Sequence, residues 1–250
     1  MEKLSVVIIS FNEERNIAKC VRSVMTIADE VLVLDSLSTD RTEAICRELG
    51  ARFEQHAFDG YVAQKNRALG MAAHNLVLSL DADESLSDEA IRAIDRIRRE
   101  RNHDGYFFNR RNFWCGHPMR HTSWYPDRKL RLFDRTKACW TGMDPHDEIV
   151  MDNGCRIGRA EGEILHETVR SVAEHREKTE RFARISAQVY FAKNVRPAWG
   201  SGLLHSAWRW FREYCLFLGF LDGLAGWQVA RFSAVYVWRK YYYLRHLYGK

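Results

Sequence analysis

At 250 residues, 46% hydrophobic and 28% charged, the chain can bury a sizeable core and is not a disordered protein. Six cysteines with no C-x-x-C pair, and charges at Glu2 and Lys3 directly before strand-like sequence, argue against a disulfide framework and a secretory leader, so a reducing, cytoplasmic setting is expected. The net charge of +5 is uneven, with 24 Lys/Arg against 28 Asp/Glu in residues 1–169 and 14 against 5 in 170–250, and no apolar run reaches the roughly 18 residues of a membrane span.

Leu4 to Ser10 is a β-branched apolar run that predicts a buried strand, ending at Phe11-Asn12-Glu13-Glu14. Ile17, Cys20, Val21 and Val24 recur at helical spacing. Glu30 to Asp35 predicts a second strand closed by Ser36 to Asp40, and Thr42 to Leu49 a helix stopped at Gly50. Residues 51–54 predict a short third strand, and Tyr61 to Ala73 a helix carrying Gln64, Lys65, Asn66 and Arg67. A fourth apolar run, Leu76, Val77, Leu78 and Leu80, stops at Asp81 and Asp83. Alternating strands and helices imply a mainly parallel sheet, with ligands beyond the carboxyl ends of its strands. Two carboxylates at i, i+2 in a turn there can converge on one hard cation. The competing explanation is a plain turn before a helix capped by Ser85 and Ser87-Asp88-Glu89.

Four blocks in this stretch carry a resemblance: Ser-Val-Val-Ile-Ile-Ser-Phe-Asn-Glu-Glu from Ser5, Val-Leu-Val-Leu-Asp-Ser-x-Ser-Thr-Asp-Arg-Thr from Val31, Gln-Lys-Asn-x-Ala-Leu from Gln64 and Leu-x-Leu-Asp-Ala-Asp-Glu from Leu78. In order and spacing they resemble the signatures of family 2 glycosyltransferases. The resemblance implies an α/β GT-A fold, a Rossmann-like nucleotide-sugar-binding mixed sheet flanked by helices. It also implies a nucleotide-sugar donor and a divalent cation, Mg2+ or Mn2+, at Asp81 and Asp83, with Asp83 the direct ligand. Ser10, Asn12 and Glu14 then fall where family members hold base and ribose. Asp35 either accepts from the ring N–H of a uracil or caps a turn, and Asp40 either belongs to the site or caps the helix from Thr42. Lys65 either meets ribose or phosphate or is a solvated cation. Where the family usually has glycine after Ser36, this chain has Leu37, so a turn of different shape is expected.

Tyr106 to Asn109 predicts a strand, and Arg110 to His121 an irregular basic loop over the sugar or acceptor. Cys115, His117 and His121 lack a fourth zinc ligand, and Pro118 breaks a helical spacing between them. Tyr125-Pro-Asp-Arg-Lys-Leu-Arg-Leu-Phe133 resembles a segment of lipopolysaccharide core glucosyltransferases within the family. Arg131, alternating with Leu130, Leu132 and Phe133, points at a phosphate or at solvent. An inverting transfer needs a carboxylate base at the acceptor hydroxyl. His146-Asp147 stands where this subfamily commonly has Val-His-Glu; position favours Asp147, and side-chain type favours Glu148. We take Asp147 with Glu148 as its alternative. His166, after Ile164-Leu165, is either a core residue or, on the resemblance, a metal or diphosphate contact.

Residues 171–195 predict a charged helix with Phe182, Ile185 and Val189 inward, followed by a linker at Pro197 to Gly202. The expected domains are a glycosyltransferase domain, 1–195, and a membrane-associating helical region, 196–250. Within the first, residues 1–105 are the donor-binding half, 106–170 the acceptor half and 171–195 the helix. The aromatic, basic C-terminal extension suits helices in a lipid headgroup layer, or equally a packing arm or dimer face. Gly219-Phe-Leu-Asp-Gly223 resembles a block of the same subfamily, whose acceptors are lipid A-linked. The expected activity is transfer of a hexose, glucose from UDP-glucose, to a lipid A-core sugar at the cytoplasmic face of the inner membrane. Transfer to polyprenyl phosphate or an exopolysaccharide, and a non-catalytic scaffold, are the alternatives. No recognition helix or stacking motif points to nucleic acid.

Overall fold

In the computed structural model the described residues are 1–143 and 146–249, without the Met143 and His146 side chains. In chain order the elements are β1 (Leu4–Ser10), α1 (Ile17–Val24), β2 (Glu30–Asp35), α2 (Thr42–Glu48), β3 (Arg52–Gln55), α3 (Tyr61–Met71), β4 (Leu76–Asp81), β5 (Glu84–Leu86), α4 (Asp88–Glu100), β6 (Gly105–Trp114), β7 (His117–Pro118), β8 (Asp127–Asp134), β9 (Ala138–Met143), β10 (His146–Met151), β11 (Ile157–Val169), α5 (Val172–Ala192), α6 (Ser201–Phe211) and α7 (Gly223–Leu247). Two compact units result: Met1–Arg110 with Arg128–His166, and Arg111–Asp127 with Glu167–Lys250. Pro197 to Gly202 lies inside the second.

The main sheet has the order β3-β2-β1-β4-β8-β6-β11-β5, with β7 on β6; β9 and β10 form a separate hairpin. β3, β2, β1 and β4 run parallel, while β8 is antiparallel to β4 and β5 to β11. Helices cover both faces, which is why β1 and β4 read as continuous apolar runs rather than alternating ones. Val6, Ile8, Val33 and Leu78 pack with Val21 and Ile94 in one core layer; Val7, Leu34, Val77 and Phe133 pack with Ala68, Leu69 and Trp140 in the other. The registers Ser10↔Asp35 and Ile9↔Asp81 bring the carboxyl ends of β1, β2 and β4 level.

Three local expectations need correction. Residues 84–86 are a short strand rather than a cap, although Ser87 does cap α4 by accepting from the Ala90 N–H. The segment 110–114 continues β6 instead of opening an irregular loop. In α5 the buried positions are His175, Thr179, Ala183 and Ala187, whereas Phe182, Ile185 and Val189 are exposed. The small side chains let α7 approach closely, and Ser186 and Tyr236 hydroxyls meet at 2.7 Å across that seam.

The Gly219–Gly223 block closes the turn before α7. A Cβ on Gly226 would lie 1.8 Å from the Gly219 carbonyl oxygen, so only glycine fits there. Asp222 accepts from the N–H groups of Arg120 (3.1 Å) and His121 (2.8 Å), and its other oxygen meets His121 Nδ1 at 2.9 Å. His121 is thus committed to a carboxylate, and among the described residues no three His, Cys, Asp or Glu side chains gather as a metal site. Among the same residues no helix is long and apolar enough to cross a membrane.

His175 accepts from Trp114 Nε1 at 3.0 Å, which requires an unprotonated Nδ1, and its ring lies 4.1 Å from that of Phe232. Burial, then the nearby Lys178 charge, pushes its pKa down to about 4. The unfolded chain therefore binds a proton near pH 6.5 that the folded chain refuses until about pH 4. Stability is complete above pH 6.5 and falls by about 2–3 kcal/mol as pH drops through that window. Denaturant melts from pH 7.5 to 4.5 should show this slope, and His175→Gln, which keeps an acceptor without titrating, should remove it.

Candidate active site

The loops after β1 and β2 are stitched together by side chains. Buried Asp35 accepts from Ser10 Oγ (2.8 Å), Ser38 N–H (2.6 Å) and Ser38 Oγ (2.5 Å). Asn12, at φ +53°, donates its N–H to Ser38 Oγ and accepts from the Thr39 N–H. Glu14 accepts from the Arg41 N–H at 3.2 Å and donates its own N–H to Asp40. Asp40 also takes the Thr42 N–H and hydroxyl, so it does cap the start of α2. Leu37 sits at φ +64°, the left-handed conformation that glycine adopts freely, at a cost of about 1 kcal/mol.

Each residue of the Gln64-Lys65-Asn66 block has a separate partner. Gln64 donates to Ser36 Oγ at 3.2 Å, tying α3 to the turn after β2. Asn66 donates to the Trp140 carbonyl and accepts the Trp140 N–H, both at 2.9 Å, and so fixes the β9–β10 hairpin. Lys65, whose side chain is 6% exposed, reaches Asp81 Oδ1 at 3.0 Å and Asp147 Oδ2 at 2.7 Å, with Nζ 4.2 Å from the Trp140 ring centre. It is not a solvated cation.

Asp81 is also bound on its far side. Arg131 donates to Asp81 Oδ2 at 2.8 Å and to Glu84 Oε1 at 2.6 Å, so it does not point at solvent. Glu84, fully buried, accepts in addition from Arg110 at 3.1 Å and from the Asp81 N–H at 3.0 Å. Burial alone would raise the Asp81 carboxyl, but Lys65 and Arg131 outweigh it and hold its pKa well below the carboxylate range. The same pairing, with Glu84 and Asp81 outweighing burial, pushes the Arg131 pKa up.

Asp83 lies two residues past the end of β4, beside the ion pairs that join Lys65, Arg110 and Arg131 to Asp81, Glu84 and Asp147. Its partner is His166 Nε2, 3.2 Å from Asp83 Oδ2, brought there by the register His166↔Glu84. The carboxylate oxygen and the imidazole nitrogen, engaged with each other and both partly exposed, are of the types that ligate divalent cations. Asp81 is poorly disposed to join it, because both its oxygens are engaged by cations.

On β10, Asp147 and Glu148 face opposite ways, as neighbours in a strand must. Asp147 turns to Lys65, and Glu148 is exposed. The His146 side chain, used to align this pair, lies outside the described residues. Glu84 and Trp140 were not singled out from the sequence. An acid following two strand-end aspartates in a Leu-x-Leu-Asp-Ala-Asp-Glu block was the available signal for Glu84.

The model of the family described as "Glycosyl transferase family 2" matches residues 5–154. The chain belongs to family 2 of the glycosyltransferases. Its fold is GT-A, with the mixed sheet flanked by helices and a helical C-terminal region. This glycosyltransferase is 44% identical over 106 residues, 42% of its length, to an uncharacterized glycosyltransferase of Rickettsia felis. It spans under two-fifths of that relative's length. It is 26% identical over 253 residues to the lipopolysaccharide core biosynthesis glycosyltransferase LpsC of Rhizobium meliloti, across 95% of this chain and 93% of LpsC. Among solved structures, Mycobacterium tuberculosis glucosyl-3-phosphoglycerate synthase with Mn2+, UDP and glucosyl-3-phosphoglycerate is similar at TM-score 0.45 and 15% identity, over 79% of this chain and 82% of that one.

Proposed function

We propose that this glycosyltransferase transfers a hexose with inversion, glucose from UDP-glucose, to an inner-core sugar of lipopolysaccharide at the cytoplasmic face of the inner membrane. The observation that carries the catalytic part is Asp83 with His166 beside the ion-paired Lys65, Arg110, Arg131, Asp81, Glu84 and Asp147. A Mg2+ or Mn2+ held by that pair would offset the charge of the departing diphosphate. Arg131 and Glu84 keep Asp81 in place, and Asp81 with Asp147 holds Lys65 at the carboxyl end of β4. Lys65 is there to meet donor phosphate, and Asp147 to take the acceptor hydroxyl proton. The loops of Ser10, Asn12, Glu14 and Asp35 would receive the nucleoside. Support for the acceptor class is the near full-length likeness to LpsC and the Tyr125–Phe133 and Gly219–Gly223 segments.

The test is transfer from UDP-hexoses to purified truncated lipopolysaccharide, with polyprenyl phosphate as the rival acceptor. Asp147→Asn should lower kcat by about 10²–10⁴-fold, the size of a general-base contribution. Glu148→Gln should leave it within about twofold. Equal losses in the two variants would remove Asp147 from the role.

A further inference from the structure

Helix α6 meets α7 through one face only: Ser206 Oγ donates to the Ala234 carbonyl at 2.8 Å, the His205 ring stacks on Tyr241 with centres 5.4 Å apart, and the Trp210 ring meets Trp227 edge-on at 5.6 Å. A Cβ on Gly202 would sit 3.1 Å from Tyr241 Cβ, so the backbones are close there. The stripe left facing away is Leu203, Leu204, Ala207, Trp208 and Phe211, at i, i+1, i+4, i+5 and i+8. A helix of a water-soluble fold buries such a stripe; here Leu203 and Leu204 are 70% and 72% exposed. The following turn continues it with Leu216, Phe217, Leu218, Phe220, Leu221 and Leu224, all exposed.

Charge decides what covers this surface. From Arg196 to Gly249 there are seven Lys/Arg and two carboxylates, Glu213 and Asp222. Both acids are buried: Glu213 accepts from the Ser123 N–H and pairs with Arg209, and Asp222 holds Arg120 and His121. Among the described residues this stretch therefore presents apolar groups and cations, and no carboxylate, to its surroundings. Trp199, Trp208, Trp227 and Trp238 are exposed along it, the side-chain type that favours a membrane–water boundary. A protein partner would accept mixed charge; a surface rich in lipid phosphate selects for this combination.

We propose that this face, from Leu203 to Leu224, lies in the headgroup layer of a bilayer containing anionic phospholipid. Its leucines reach the acyl boundary, and Arg196, Arg231 and Arg245 meet lipid phosphates. This deepens the membrane-surface part of the function proposed above and rests on it.

The experiment is sedimentation of the full chain with vesicles of about one-third phosphatidylglycerol in phosphatidylcholine, against phosphatidylcholine alone. The wild type binds the anionic vesicles, and binding falls at least about tenfold for the double variant Leu204→Glu/Leu221→Glu, and severalfold on pure phosphatidylcholine. The variant keeps the wild-type melting temperature and the wild-type rate of UDP release from donor in the absence of vesicles. Equal vesicle binding by wild type and variant overturns the proposal, as does a wild type that ignores anionic vesicles. A wild-type dimer that the variant dissociates overturns it in favour of a second copy of the chain. UDP release reads the catalytic site separately, so loss of either property identifies which account has failed.

Discussion

Replacing Arg131 with leucine should destabilise the protein by about 3–5 kcal/mol, the usual result of removing one partner from a buried ion pair. Its side chain is 3% exposed and sits between Asp81 and Glu84, whose side chains are 26% and 0% exposed. Without the guanidinium, among the described residues Glu84 keeps Arg110 as its cation and Asp81 keeps Lys65. For a chain of this size the loss corresponds to a fall of roughly 6–20 °C in melting temperature. Glu84→Gln in the same background should recover part of it, because the uncompensated charge goes with it. Thermal melts of the two single variants and the double variant measure that coupling. Additive losses would mean that Arg131 and Glu84 do not act as a pair.

Asp83→Asn should behave in the opposite way, abolishing transfer while leaving stability unchanged. Asp83 is partly exposed and its partner is a histidine, so folding depends on it little. Catalysis depends on it heavily if it presents a cation to the leaving diphosphate. Loss of a preorganised charge at that position costs about 10²–10³-fold in kcat. The pair of assays is initial rate at saturating UDP-hexose and Mn2+, and a thermal melt. A variant retaining a tenth of the wild-type rate would remove the cation from Asp83.

The donor-side elements were legible because their signals are local. Apolar runs of four to seven residues end at turn-forming residues, and each run became a strand. The position of Asp81 and Asp83 at the end of β4 was legible for the same reason. The partners of Asp81 were not. Arg131 is 50 residues away in sequence, and alternation with Leu130 and Leu132 left its side chain facing a phosphate or solvent. The solvent alternative fails in a strand buried on both faces, and Phe133, buried beside Leu132, was the sign of one. In α5, ranking residues by hydrophobicity selected Phe182, Ile185 and Val189, whereas the close approach of α7 selected Ala183 and Ala187. Size, not apolar character, set which face turned inward.

The seat of the cation is the claim most directly open to measurement. Crystals grown with Mn2+ and UDP, and recorded at the manganese absorption edge, should show an anomalous peak within about 2.0–2.3 Å of an Asp83 carboxylate oxygen and the His166 imidazole. Asp81 should keep its contacts with Lys65 and Arg131. A peak bound by Asp81 with Asp83 turned away, or nucleotide bound with no manganese at this pair, would contradict the account.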